Sequence, residues 1–236
     1  MDIDYKCVLS VGMRCYTEIY LKQMGLKKFS GPFDALYFSN ITHIIYLLEN
    51  RINPDDLIHT ELINNTEVQL LNKRYGFRTI HRKINTYDEN NMSRTYHLAS
   101  FAHHNLNDVS VQHHFDRCFA RLDKIKQDKI KTLFCIFSHP NGNQDKMLSM
   151  DAISIISTYL HNNFNCHVLV IVFLSYSNSA VNTWKIHSQN DCFTYIVVNN
   201  GSIDYDAHKN NLKEIFSYMK VNENVLFTYN DMKTTV

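Results

Sequence analysis

Prolines and glycines are scarce in this 236-residue chain, three and six respectively, and there is a single tryptophan. So few chain breakers exclude collagen-like, proline-rich and linker-like organisation, which depend on many of them. An excess of one charge is also missing: 24 Lys and Arg face 23 Asp and Glu, a formal net charge of +1. A basic face is the usual footprint of a nucleic-acid binder, and nothing here demands one. The longest apolar run, Val168 to Leu174, falls far short of the ~20 residues that span a bilayer, so no membrane partner is expected. Asp2, Asp4 and Lys6 break up any apolar leader segment. The six cysteines (Cys7, Cys15, Cys118, Cys135, Cys166, Cys192) form no Cys-x-x-Cys pair and no repeat spacing. That pattern excludes a zinc ribbon and a disulfide framework, and it points to a reducing, cytoplasmic compartment.

What the chain does have is enough apolar residue, 44% against 20% charged, to bury a real core. No repeat or low-complexity tract divides it, so one domain over 1–236 is expected, with 52–97 as an insertion or lid. Strands are expected at 5–11, 131–137, 167–174, 193–198 and 225–229. Helices are expected at 14–24, 41–48, 110–127, 151–164 and 209–219. Between residues 52 and 97 only short strand-like pieces stand out, at Val68–Leu71 and Arg78–Ile84, and the stretch around Trp184 reads as loop. Apolar strands alternating with helices predict an α/β fold: a mostly parallel sheet with helices on both faces.

Ligands of such sheets gather at the carboxyl ends of the strands. Three marked segments fall there: Gly12–Cys15, Ser138–Gly142 (with His139 and Asn141) and Ser175–Ser179. In the first, a short apolar strand runs into a glycine turn and then a cysteine at the first turn of a helix. Free backbone N–H groups and the positive end of the helix dipole favour a thiolate there. Such a cysteine has its pKa lowered from about 8.5 into a range of about 3.5–7.5 when a cation helps, and Arg14 is adjacent. The same position suits a buried structural cysteine, so the local pattern leaves both readings open. Ile19, Met24 and Leu26, with Tyr16 and Tyr20, are expected on the packed side of this helix.

His103 and His104 lie in a polar stretch before the 110–127 helix, where an imidazole can titrate near neutrality and act as a base. With His113, His114, Asp108 and Asp116 they invite a metal reading, but no HExxH or other ligand spacing is present, and no metal or cofactor is expected. Arg117 and Arg121, one helical turn apart, could with Arg14 hold an anion, or simply line a solvated helix face. Neither a GxGxxG turn nor a Walker loop occurs.

Ser10-Val11-Gly12-Met13-Arg14-Cys15, Gly25-Leu26 and Gly31-Pro32-Phe33-Asp34 resemble the opening of a family described as papain-like cysteine peptidases, with Ala35 where that family carries an aromatic residue. Phe101-Ala102-His103 and the Phe115–Leu122 segment with Arg117 and Arg121 are similar to its later blocks. The resemblance implies Cys15 as nucleophile, His103 as base and Asp34 as an orienting or structural carboxylate, and it brings in a papain-like α+β fold as the alternative architecture. The expected function is a cysteine-dependent hydrolase or acyl-transferase on an amide or ester of unknown identity. Two alternatives stay open: an α/β domain binding a nucleotide or sugar phosphate, and a viral host-interaction protein without chemistry. Usage rich in Asn, Ile, Lys and Tyr suggests an AT-rich genome, such as that of a large DNA virus or a protist; it bears on source and not on mechanism, and the compartment is then the cytoplasm of an infected host cell. Oligomeric state is not legible.

Overall fold

The structure, a computed structural model, describes residues 4–12, 15–34, 36–38, 41–51, 57–63, 66–74, 95–101, 108–138, 148–174, 183–199, 205–228 and 230. Its main sheet has five strands: β1 (Cys7–Ser10), β6 (Thr132–Ser138), β7 (Cys166–Leu174), β9 (Phe193–Asn199) and β8 (Thr183–Gln189), in that spatial order. The first four pair in parallel, and β8 closes the edge antiparallel to β9. The four parallel strands are those expected from their apolar runs. The parallel sheet decides for α/β over the papain-like α+β alternative.

Each central strand feeds two cores. Leu9, Phe134, Ile136, Val168 and Val170 face α2 (His43–Asn50), α3 (Val109–Gln127) and α4 (Met150–Asn163). Val8, Leu133, Cys135, Phe137, Leu169 and Ile171 face α1 (Cys15–Gln23) and α5 (Tyr205–Tyr218). This strict alternation along β6, buried at every position, is what a sheet covered on both faces requires. Side-chain caps start two of the helices: Asp108 accepts from Ser110 N–H at 2.8 Å, and Ser149 accepts from Ala152 N–H at 3.2 Å.

Four expectations are corrected. The stretch read as irregular carries β3 (Leu57–Ile63), β4 (Thr66–Arg74) and β5 (Thr95–Phe101), which with β2 (Tyr37–Phe38) form a second, antiparallel sheet in the order β2-β5-β4-β3. Val68–Leu71, read as strand-like, lies within β4, and Arg78–Ile84 lies outside the described residues; polar residues every second or third position hid the rest of these strands. Trp184 lies in β8, whose half-exposed, polar edge sequence lacks an apolar run. Of the strand expected at 225–229, the described residues 225–228 form none: a 3-10 turn spans Glu223–Val225, and Phe227 N–H makes a backbone bond to Lys6 O at 2.8 Å. In α1, Ile19 points outward at 42% exposure, while Thr17, Tyr20 and Leu21 form the buried face. Among the described residues no helix is long and apolar enough to cross a membrane.

Candidate active site

At the carboxyl end of β1 the backbone turns at Gly12, whose φ is +71°. A Cβ there would stand 2.5 Å from Cε2 and 2.7 Å from Cδ2 of Phe38. Glycine therefore meets two demands at once, a left-handed turn and the close approach of β2. Three residues later α1 begins at Cys15. Because β1 stops pairing after Val11, whose N–H reaches Cys135 O at 2.9 Å, the next amide of β6 needs another partner. Thr17 supplies it: its Oγ1 accepts the Phe137 N–H at 3.0 Å and lies 3.4 Å from Gly12 O as a donor. The first turn of α1 is thus fastened to the sheet by a fully buried hydroxyl.

The far end of α1 explains a second block of the sequence. Leu26 N–H bonds to Leu21 O at 2.9 Å, and Gly25 N–H to Lys22 O at 3.0 Å, with Gly25 at φ +71°. This is a Schellman turn, which needs a residue without Cβ strain at the left-handed position. It delivers Lys27 to a point between α1 and the Gly31–Asp34 turn. There the Lys27 ammonium bonds to Glu18 and stands 2.8 Å from Asp34 Oδ2.

Asp34 also accepts the Gly31 N–H at 2.8 Å. Burial lifts its pKa to about 6, against the opposing pull of Lys27 and the Gly31 amide. Burial works against the charge on Lys27, but the carboxylates of Asp34 and Glu18 outweigh it and raise its pKa. Phe33 is buried and meets Phe38 and Phe119 edge-on, each with ring centroids 6.2 Å apart. From α3, Arg121 reaches back 91 residues to donate to Ser30 O at 3.1 Å. The turn at 30–34 is therefore the joint on which α1, β2 and α3 meet.

Cys15 opens α1, but its side chain, with all of Arg14, His103, His104, His139, Asn141 and Ser175–Ser179, lies outside the described residues. The strand leading to His103 is described as far as Phe101: Ser100 pairs with Tyr37 and Ala99 with Phe38, the residue packed on Gly12. The two arginines of α3 occupy different environments, Arg117 exposed and Arg121 8% exposed with Cys118 Sγ 3.7 Å away. Asp108 serves as a helix cap, and among the described residues no group of His, Cys, Asp or Glu gathers as a metal would require.

Four thiols are held protonated by burial. Cys118 is pushed up to about 11 and Cys166 to about 12, and Cys7 and Cys135 are raised further. Cys118 Sγ lies 3.6 Å from Nε2 of His114, whose pKa is lowered first by burial and then by Arg117, Arg121 and Lys27. At neutral pH that pair is a neutral thiol beside a neutral imidazole, not an ion pair.

Sequence reading had not singled out Thr17, Lys27 or this contact. The His114–Cys118 pair could have been found from its i, i+4 spacing on a helix. Thr17 and Lys27 act on partners fixed only by the tertiary fold.

A family model described as "putative papain-like cysteine peptidase (DUF1796)" matches residues 6–176, more than two thirds of the chain. The chain belongs to this family. No curated protein and no solved structure matches it. The match to the cysteine peptidase family runs from β1 to just beyond β7, so it takes in the Gly12 turn, α1, the 30–34 joint and α3.

Proposed function

We propose that the protein is a cysteine-dependent hydrolase or acyl-transferase acting on an amide or ester, with Cys15 as nucleophile and His103 as its base. The observation that carries this reading is the start of α1: a glycine turn at the carboxyl end of β1, then a helix beginning on a cysteine and pinned by Thr17. Family membership supports it. So does the fate of four of the five other thiols, since burial holds Cys7, Cys118, Cys135 and Cys166 protonated.

In this reading His103 takes the proton from Cys15, and the thiolate adds to the substrate carbonyl. Backbone N–H groups at the start of α1 hold the oxyanion. Collapse of the adduct expels the amine or alcohol, which receives the proton from His103, and leaves a thioester for water or a second nucleophile to cleave. Asp34 acts as a positioning residue, through the turn it holds with Lys27 and Gly31. The cysteines whose side chains are described are all free, which suits work in a reducing cytoplasm, and the second sheet around residues 57–101 is read as an addition to a single α/β unit. The phosphate-binding alternative draws less support, because the Arg121 guanidinium is buried and donates to Ser30 O.

The test is covalent trapping. A panel of peptidyl chloromethyl ketones and vinyl sulfones is incubated with the native protein at pH 7 and read by intact mass and peptide mapping. A single adduct on Cys15, absent from Cys15→Ala and slowed by His103→Ala, is expected. Adducts spread over other cysteines, or none on Cys15, would sink the assignment.

A further inference from the structure

Away from the start of α1, a groove of about 580 Å³ runs between the end of α1, the exposed side of α5 and the turn at 221–224. Its floor is apolar, formed by Met24, Leu26, Phe216 and Val221, all of them part of or packed against the second core. One wall carries Lys209 and Lys213, one helical turn apart on α5, both exposed and neither in an ion pair among the described residues. Side chains at this spacing stand about 5–6 Å apart at Cβ, close enough for one anionic group to sit between two ammonium groups.

The opposite rim is shaped by Gly25. A Cβ there would come within 2.9 Å of Glu223 Oε2, so the glycine that ends α1 also lets Glu223 lean over this end of the groove. All of α5 and the 221–224 turn lie beyond the residues matched by the family model.

We propose that this groove binds an extended acidic peptide segment, with one carboxylate between Lys209 and Lys213 and a neighbouring apolar side chain on Met24, Leu26 and Phe216. Three observations select that occupant. The paired, unneutralised lysines call for an anion. The apolar floor beside them calls for a hydrophobic group within a residue or two of that anion. Asn222, Asn224 and Ser217 on the rim offer donors and acceptors to a peptide backbone, which an alkyl chain cannot use. Glu223 disfavours a polyanion such as nucleic acid, because a continuous run of phosphates would have to pass its carboxylate. The site does not depend on Cys15 being a nucleophile.

The probe is a fluorescein-labelled Leu-Glu-Leu-Glu peptide, followed by fluorescence polarisation with the full chain at 50 mM salt. Its basic counterpart, Leu-Lys-Leu-Lys, and laurate as a competitor separate the alternatives. Saturable binding of the acidic peptide is expected, at least about tenfold weaker for the Lys209→Glu/Lys213→Glu double variant. It should also weaken at 500 mM salt. Both lysines are exposed, so an unchanged melting temperature verifies that the variant is folded. The proposal is overturned if the acidic peptide does not bind up to 1 mM, if the basic peptide binds as well, or if the double variant binds undiminished. Displacement by laurate at a lower concentration than by unlabelled acidic peptide would overturn it in favour of a lipid. Cys15→Ala should bind the peptide as the native chain does, which keeps this result separate from that of the trapping experiment.

Discussion

Replacing Thr17 by Val is the sharpest probe of how the start of α1 is held. Valine keeps the volume and branching of threonine but removes the hydroxyl that accepts the Phe137 N–H at 3.0 Å. Thr17 and Phe137 are both 0% exposed, so no water can replace the lost partner. A buried amide left unsatisfied costs about 1–3 kcal/mol, and in a chain of this size each kcal/mol shifts the melting temperature by about 2–4 °C. Taking about 2 kcal/mol for this bond gives a fall of about 4–8 °C. Thr17→Ser is the control: it keeps the acceptor and loses one methyl group, about 0.8 kcal/mol. Differential scanning calorimetry of the three proteins at pH 7 should therefore rank them native, then Ser, then Val. A Val variant as stable as the Ser variant would refute the role given to the hydroxyl.

Three further outcomes follow from the same geometry. Gly12→Ala forces a Cβ into the Phe38 ring and a side chain into a left-handed turn, and should cost about 3 kcal/mol in denaturant unfolding, partly relieved by Phe38→Leu. Asp34 has a pKa raised by burial to about 6 in the folded protein, so its contribution to stability is full below about pH 4 and is lost as the pH rises through 6. The melting temperature of the native chain relative to Asp34→Asn should accordingly fall between pH 4.5 and 6.5 and level off above. Arg121→Met leaves the Ser30 carbonyl without its charged donor and should cost about 1–3 kcal/mol, whereas Arg117→Ala at an exposed position should stay within about 0.5 kcal/mol.

Legibility in the sequence followed burial. Strands β1, β6, β7 and β9 stand out because both faces of a covered parallel sheet demand unbroken apolar runs, and α3 because Phe115, Cys118, Leu122 and Ile125 recur at helical spacing. Strand β8 escaped notice because a largely exposed edge strand, with only Trp184 packed on the core, has no such run to show. The hairpin β3–β4 escaped because residues such as His59, Glu61 and Glu67 interrupt its pattern. Of the candidate site, the Gly12 turn and the Gly31–Asp34 turn were readable as local conformations. What joins them was not: Lys27 bridges Glu18 and Asp34, and Thr17 serves an amide 120 residues away. Partners that distant leave no mark in a local pattern.

The central claim rests on Cys15, and its alkylation rate tests it most directly. Iodoacetamide labelling of the native protein, resolved thiol by thiol by mass spectrometry across pH 5–9, should show Cys15 reacting fastest. Its apparent pKa should fall below the ordinary ~8.5 and rise in His103→Ala. Cys7, Cys118, Cys135 and Cys166 should stay unlabelled until the chain is unfolded, and Cys192, half-exposed, should label in the native chain. A Cys15 that labels no faster than Cys192, or whose rate is indifferent to His103, would contradict the account.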